Sequence, residues 1–185
     1  MTFSDKPDII AEGNFIQFVR RGTWEYVTRR GISGIVALIA VTVDRKLVLV
    51  EQYRPALGAR VIELPAGIAG DGMHKGETLE AAARRELLEE TGYAPGELRL
   101  VATGAASAGI TDEIISLFLA RGLRKVGLGA GDGTEELALH EIPLEEVGTW
   151  LKEKCDGGVL VDLKVFSAVY FAGFEEKKPA HPGSR

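Results

Sequence analysis

GETLEAAARRELLEETGY, residues 76–93, is the stretch on which the reading of this chain turns. Thr78 is placed to cap a helix over residues 79–91, because its hydroxyl can accept from an orphan N–H of the first turn. Gly92 is placed to end that helix, since glycine adopts the left-handed conformation that closes a last turn without steric cost. Leu79, Ala82, Ala83 and Leu87 recur at helical spacing and form its buried face. The stretch also carries five carboxylates, Glu77, Glu80, Glu86, Glu89 and Glu90, beside two arginines. Glu86 stands three before Glu89 and four before Glu90, so the three share one side of the helix.

Like charges so placed repel one another. Clustered oxygen ligands suit a hard cation such as Mg²⁺ or Mn²⁺. Mg²⁺ takes one or two carboxylates and completes its shell with water and substrate phosphates. Arg85, four before Glu89, is placed to hold that carboxylate's orientation. Spacing alone also allows a solvated helix face, which is what most charge runs are. Two neighbours favour a site. The Gly-rich loop over residues 67–76 lets backbone approach a ligand, and the ELPAG turn, residues 63–67, has carbonyls able to face the helix.

Outward from this helix the chain alternates short apolar strands with turns. Residues 14–31 predict two strands turned at Arg21-Gly22. GIVALIAVTV, residues 34–43, is apolar on both faces and predicts a buried strand. Strands follow over 46–54 and briefly over 61–67, whereas 67–76 reads as loop. After the helix, strands are predicted over 97–107, 113–123 and 137–143, with a Gly-rich loop over 127–136. Residues 144–154 and 161–174 read as helices, and the polar tail as frayed. Strands, one helix, more strands and then helices make an α+β chain with a mixed sheet.

The chain has 185 residues, enough for one domain with a sizeable core. The apolar fraction of 45% marks a folded protein. A net charge of −5 with no basic block argues against nucleic-acid binding. A single cysteine, Cys155, excludes a disulfide framework and a cysteine zinc site and fits a reducing compartment. MTFSDKPDII lacks the features of a signal peptide, and the longest apolar run is too short to span a bilayer. A cytoplasmic protein with no membrane partner is the expectation. His74, His140 and His181 share no ligand spacing, and Trp150 reads as core.

Glu77, Arg85-Glu86-Leu87, Glu89-Glu90 and Gly92-Tyr93 match every position of the pattern EX7REUXEEXGU, with U apolar. On these residues the chain resembles the Nudix hydrolases. EQYRP (51–55) and ELPAG (63–67) resemble the ADP-ribose pyrophosphatase branch, and the resemblance extends over residues 23–174. There are two departures. In the full box five residues separate the opening glycine from the first glutamate, whereas nine residues separate Gly67 from Glu77 and Asp71 takes the expected place. The loop therefore reads as carrying a four-residue insertion. Ser107-Ala108-Gly109 also stands where ADP-ribose-specific members carry Ser-Pro-Gly, which leaves room for other sugar nucleotides.

The resemblance implies a Nudix-type α/β/α sandwich with a mixed sheet and an N-terminal antiparallel strand appendage. It divides the chain into N-terminal strands (1–34), a hydrolase domain (35–175) and a tail (176–185). It implies hydrolysis of the diphosphate bond of a nucleoside diphosphate sugar such as ADP-ribose or GDP-mannose, giving a nucleoside monophosphate and a sugar phosphate. Glu86, Glu89, Glu90 and the Ala66 carbonyl would hold two or three Mg²⁺ ions, with Mn²⁺ as the alternative. Glu136, or Glu135, would be the general base. Arg54, Glu63 and Glu113 would meet substrate, and Glu77, Arg85 and Gly92 would support the box. Other readings are a surface ion pair for Arg54 and plain strand surface for Glu63. A homodimer through the N-terminal strands is implied, with Phe15, Phe18, Trp24 and Tyr26 as candidate interface or stacking aromatics, although such residues are more often core. Other readings are hydrolysis of dinucleoside polyphosphates or coenzyme diphosphates, and a non-catalytic nucleotide sensor.

Overall fold

A computed structural model describes residues 6–129 and 137–174. At its centre is β4, and the strand shows why GIVALIAV is apolar throughout. Ala37, Ile39 and Val41 point into one core, while Val36, Leu38 and Ala40 point into a second on the opposite face of the sheet. A strand covered on both faces has no polar side to show.

Three strands precede it, β1 (Asp8–Glu12), β2 (Ile16–Arg21) and β3 (Trp24–Arg29), forming a separate antiparallel sheet. The sequence predicted β2 and β3 but not β1, whose residues are exposed and carry no alternation. The main sheet is built from β4 (Gly34–Val41), β5 (Lys46–Arg54), β6 (Ala59–Glu63) and β7 (Ala66–Ala69). After α1 (Leu79–Thr91) come β8 (Tyr93–Ala94), β9 (Glu97–Ala105), β10 (Ile114–Arg121), β11 (Arg124–Lys125) and β12 (Ala138–Pro143). The chain continues through α2 (Val147–Asp156), β13 (Leu160–Val161) and α3 (Leu163–Phe174).

The eight-stranded sheet runs β13-β6-β5-β4-β10-β9, with β12 beside β5 and β7 beside β4. It is mixed: β4 and β10 are parallel, β4 and β5 antiparallel. β4 and β5 pair at Ala40↔Val48 and Val41↔Leu47 and then part. Past the fork, β7 pairs with residues 34–37 of β4 and β6 with residues 50–54 of β5. Leu64 and Pro65 cross the gap, and the Pro65 carbonyl accepts from Leu38 N at 2.8 Å.

This fork corrects the reading of residues 67–76 as loop. Its first part belongs to β7, and Gly72–His74 forms a short 3-10 turn. Glycines lower local strand preference, but the open edge of β4 supplies hydrogen-bonding partners that outweigh it. α2 begins at Val147 instead of residue 144, and α3 at Leu163, where Asp162 Oδ1 accepts from Lys164 N at 2.7 Å.

α1 covers one face of the sheet with Ala82, Ala83 and Leu87. α2 and α3 cover the other with Val147, Leu151, Val165, Ala168 and Ala172. Trp150 packs partly buried against this second core, as expected. The result is the α/β/α sandwich. Among the described residues no helix is long and apolar enough to cross a membrane.

Candidate active site

α1 is closed at both ends as its sequence predicts. Thr78 Oγ1 accepts from Ala81 N at 3.2 Å. Gly92 is left-handed at φ 72° and donates to the Leu88 carbonyl at 2.8 Å. The helix buries its alanines and Leu87 on the sheet, which brings Glu86 and Glu90 to the rim of β7 and leaves Glu89 more exposed.

Arg85 organises these carboxylates. Its Nε and Nη2 meet Glu77 Oε1 and Oε2 at 3.1 and 3.0 Å. Its Nη1 reaches Glu86 Oε1 at 2.8 Å and Glu89 Oε2 at 3.0 Å, while Nη2 also donates to the Ile68 carbonyl at 3.0 Å. One planar fork thus ties loop, helix and strand together, which an ammonium group cannot match. Hydrogen bonding to Glu77 above all, then attraction to Glu86, holds the guanidinium firmly protonated. In return Arg85 holds the Glu77 carboxyl below its ordinary value. Glu86 is pushed the other way, because burial of its carboxylate outweighs the attraction of Arg85.

The ELPAG turn meets the helix at this point. Ala66 N donates to Glu90 Oε2 at 3.0 Å. A Cβ built on Gly67 would overlap all three atoms of the Glu86 carboxyl group. Gly67 is therefore the residue that lets strand and carboxylate lie so close. Ala66 was named from the sequence as a site residue; Gly67 was read only as part of a glycine-rich loop and of the box spacing, and its contact with Glu86 needed the fold.

Arg54 and Glu63, expected as separate substrate contacts, are joined to each other. Arg54 Nε lies 3.0 Å from both Glu63 oxygens and Nη2 lies 2.6 Å from Oε2. Gln52 Nε2 adds a 2.9 Å bond to the nearly buried Glu63. Glu113 meets Arg29 Nε at 2.5 Å, tying the head of β10 to β3. Glu135 and Glu136 lie outside the described residues. Among the described residues, no three acidic, histidine or cysteine side chains converge on one point. The three helix glutamates share a face; Arg85 Nη1 holds one oxygen each of Glu86 and Glu89, and Ala66 N holds one of Glu90.

Beside β3, Arg21, Trp24, Tyr26, Ala108, Thr111 and Asp112 line a cleft of about 420 Å³. Of the four aromatics named from the sequence, Tyr26 is buried, whereas Phe15, Phe18 and Trp24 are exposed.

The NUDIX domain model matches residues 33–161. A methanol dehydrogenase activator from Bacillus methanolicus is 40% identical over 144 residues, 77% of this chain and 74% of that protein. An ADP-ribose pyrophosphatase from Bacillus subtilis strain 168 is 42% identical over 90 residues, 49% of this chain and 46% of that one. A solved structure of an ADP compounds hydrolase superposes with a TM-score of 0.61 over 82% of both chains; at 22% identity it shows the fold. The chain belongs to the NUDIX domain family and is a Nudix hydrolase.

Proposed function

We propose that this Nudix hydrolase cleaves the diphosphate bond of nucleoside diphosphate sugars, ADP-ribose, GDP-mannose or a similar compound. The observation that carries the reading is the face made by Glu86, Glu89 and Glu90 against the ELPAG turn, held by Arg85. Names of relatives point the same way: the Bacillus subtilis protein is an ADP-ribose pyrophosphatase.

Nudix hydrolases generally use divalent metals, and the residues here fit one. All the donors are oxygens, as hard cations prefer. Gly67, lacking a side chain, makes room for the Glu86 carboxyl against the strand. Glu86, Glu89, Glu90 and the Ala66 carbonyl would hold two or three ions, Mg²⁺ or Mn²⁺. An ion held there would supply positive charge to offset the diphosphate and to make a water more acidic. The chain's own groups do the rest. Arg85 keeps the carboxylates oriented, and Arg54, anchored by Glu63, which Gln52 also holds, is the cation assigned to an anionic substrate. Glu136, or Glu135, accepts the proton of the attacking water. The water oxygen bonds to phosphorus as the bridging P–O bond breaks, releasing a nucleoside monophosphate and a sugar phosphate.

The N-terminal sheet exposes Ile9, Phe15, Ile16 and Trp24, and we assign it as a homodimer surface. A patch of this kind on a separate small sheet marks an interaction site. The single, exposed cysteine is consistent with a reducing cytoplasm.

The test is incubation with Mg²⁺ and a panel of sugar nucleotides, dinucleoside polyphosphates and coenzyme diphosphates, with products identified. Release of a monophosphate from a sugar nucleotide is expected; cleavage of none of the sugar nucleotides overturns the reading. A second reading rests on the Bacillus methanolicus relative, named a methanol dehydrogenase activator and matched over most of both chains. It is tested by adding the protein to a methanol dehydrogenase assay.

A further inference from the structure

The last turn of α1 has a charge arrangement that helix physics disfavours. Glu89 and Glu90 sit near the negative end of the helix dipole, where cations are stabilising and carboxylates are not. α1 has no basic residue in that turn.

The cation comes from another strand. Lys125 of β11 pairs in register with Tyr93 of β8. Its Nζ donates to the Thr91 carbonyl at 2.8 Å and stands 4.4 Å from the centre of the Tyr93 ring. An ammonium over an aromatic face is attracted by the ring quadrupole. The ring is fixed from its far end, since Tyr93 Oη donates to Glu141 Oε1 at 2.7 Å.

The backbone beside Lys125 is seated just as closely. Val126 N and Gly127 N donate to the Gly92 carbonyl at 2.9 and 3.1 Å. A Cβ on Gly129 would overlap the Glu90 carbonyl and the Gly92 amide. Residues 124–129 therefore lie directly on the backbone of Glu90, Thr91 and Gly92.

We propose that Lys125 is a positioning residue for the oxygen ligands on α1. By docking on Thr91 and Tyr93, it holds the helix terminus from which Glu89 and Glu90 project and offsets their repulsion with the helix dipole. It acts through the helix, without touching metal or substrate. The inference rests on the reading of Glu89 and Glu90 as metal ligands.

Calorimetric titration of Mn²⁺ into the substrate-free full chain tests it. Lys125→Met is expected to weaken Mn²⁺ binding by about 10-fold, the scale of losing a group that orients metal ligands. Lys125→Arg should recover most of the loss. The Mg²⁺ concentration giving half-maximal hydrolysis should rise by a similar factor, with a smaller change in kcat at saturating Mg²⁺. A folded Lys125→Met protein with a lowered melting temperature but parental Mn²⁺ affinity overturns the proposal and leaves Lys125 a helix cap. Should that variant not fold, Lys125→Gln is titrated instead, and parental affinity there overturns it equally. Glu90→Gln run in parallel separates the two ideas. Parental Mn²⁺ binding by Glu90→Gln rejects the ligand assignment, whereas its loss there with parental binding in Lys125→Met rejects only the positioning role.

Discussion

The amide of Ala66 donates to Glu90 Oε2 at 3.0 Å, fastening the ELPAG turn to a carboxylate 24 residues further along the chain. The bond fixes one oxygen of Glu90 against the turn. It also joins the fork between β6 and β7 to the last turn of α1, so the geometry of the sheet sets the geometry of the site.

Glu90→Gln should therefore separate folding from chemistry. A glutamine oxygen can still accept from Ala66 N, so the melting temperature should stay near the parent's. The lost charge should lower kcat by at least roughly 100-fold, the scale of removing one preorganised electrostatic contact. Turnover near the parent value in steady-state assays would rule out the metal role.

Arg85→Lys should cost stability more than its formal charge suggests. The ammonium cannot span Glu77, Glu86, Glu89 and the Ile68 carbonyl at once. Removing one partner of a largely buried pair typically costs about 3–5 kcal/mol. With lysine retaining part of the attraction, a loss of about 2–3 kcal/mol in urea unfolding is expected.

Gly67→Ala places a methyl group in the space of the Glu86 carboxyl. The expected result is a folded protein whose requirement for Mg²⁺ rises by about 10-fold or more as the carboxylate is turned aside. Gly104→Ala is the matched control, since a Cβ there meets nothing within 4 Å. Equal metal requirements in the two variants would contradict the packing argument.

Tyr93 gives a pH signature. Burial first, then its hydrogen bond to Glu141, pushes its phenol up to about 12 from an ordinary 10.0. Glu141 and Asp44 oppose the phenolate, while the Lys125 ammonium lies over the ring. Between those values the native state holds a proton that the unfolded chain has lost. Its contribution is thus complete below pH 10 and fades as pH rises toward 12. Unfolding free energy should fall across that window, and Tyr93→Phe should flatten the slope. Phenolate absorbance follows the same group directly.

Much of the site was legible because it is local. The cap at Thr78, the end at Gly92 and the shared face of Glu86, Glu89 and Glu90 follow from helical spacing within 15 residues, and the structure reproduces each. The bond from Arg85 to Glu89, four residues apart, was readable for the same reason. β4 was readable because a strand buried on both faces has to be apolar along its length. β7 was not readable, because its pairing partner is β4 and its own residues are Ala, Gly and Ile in a glycine-rich context.

The amino-acid order by itself determined the box helix, its carboxylate face and the α+β class, since each depends on contacts between near neighbours or on one-dimensional periodicity. The tertiary structure alone decided that Arg54 spends its guanidinium on Glu63, that Gly67 makes room for Glu86, and that Lys125 serves a helix ending 34 residues before it. These are long-range meetings fixed by how the sheet forks and where α1 lands on it. No local propensity encodes them, because their free energy is realised only when the whole sandwich closes.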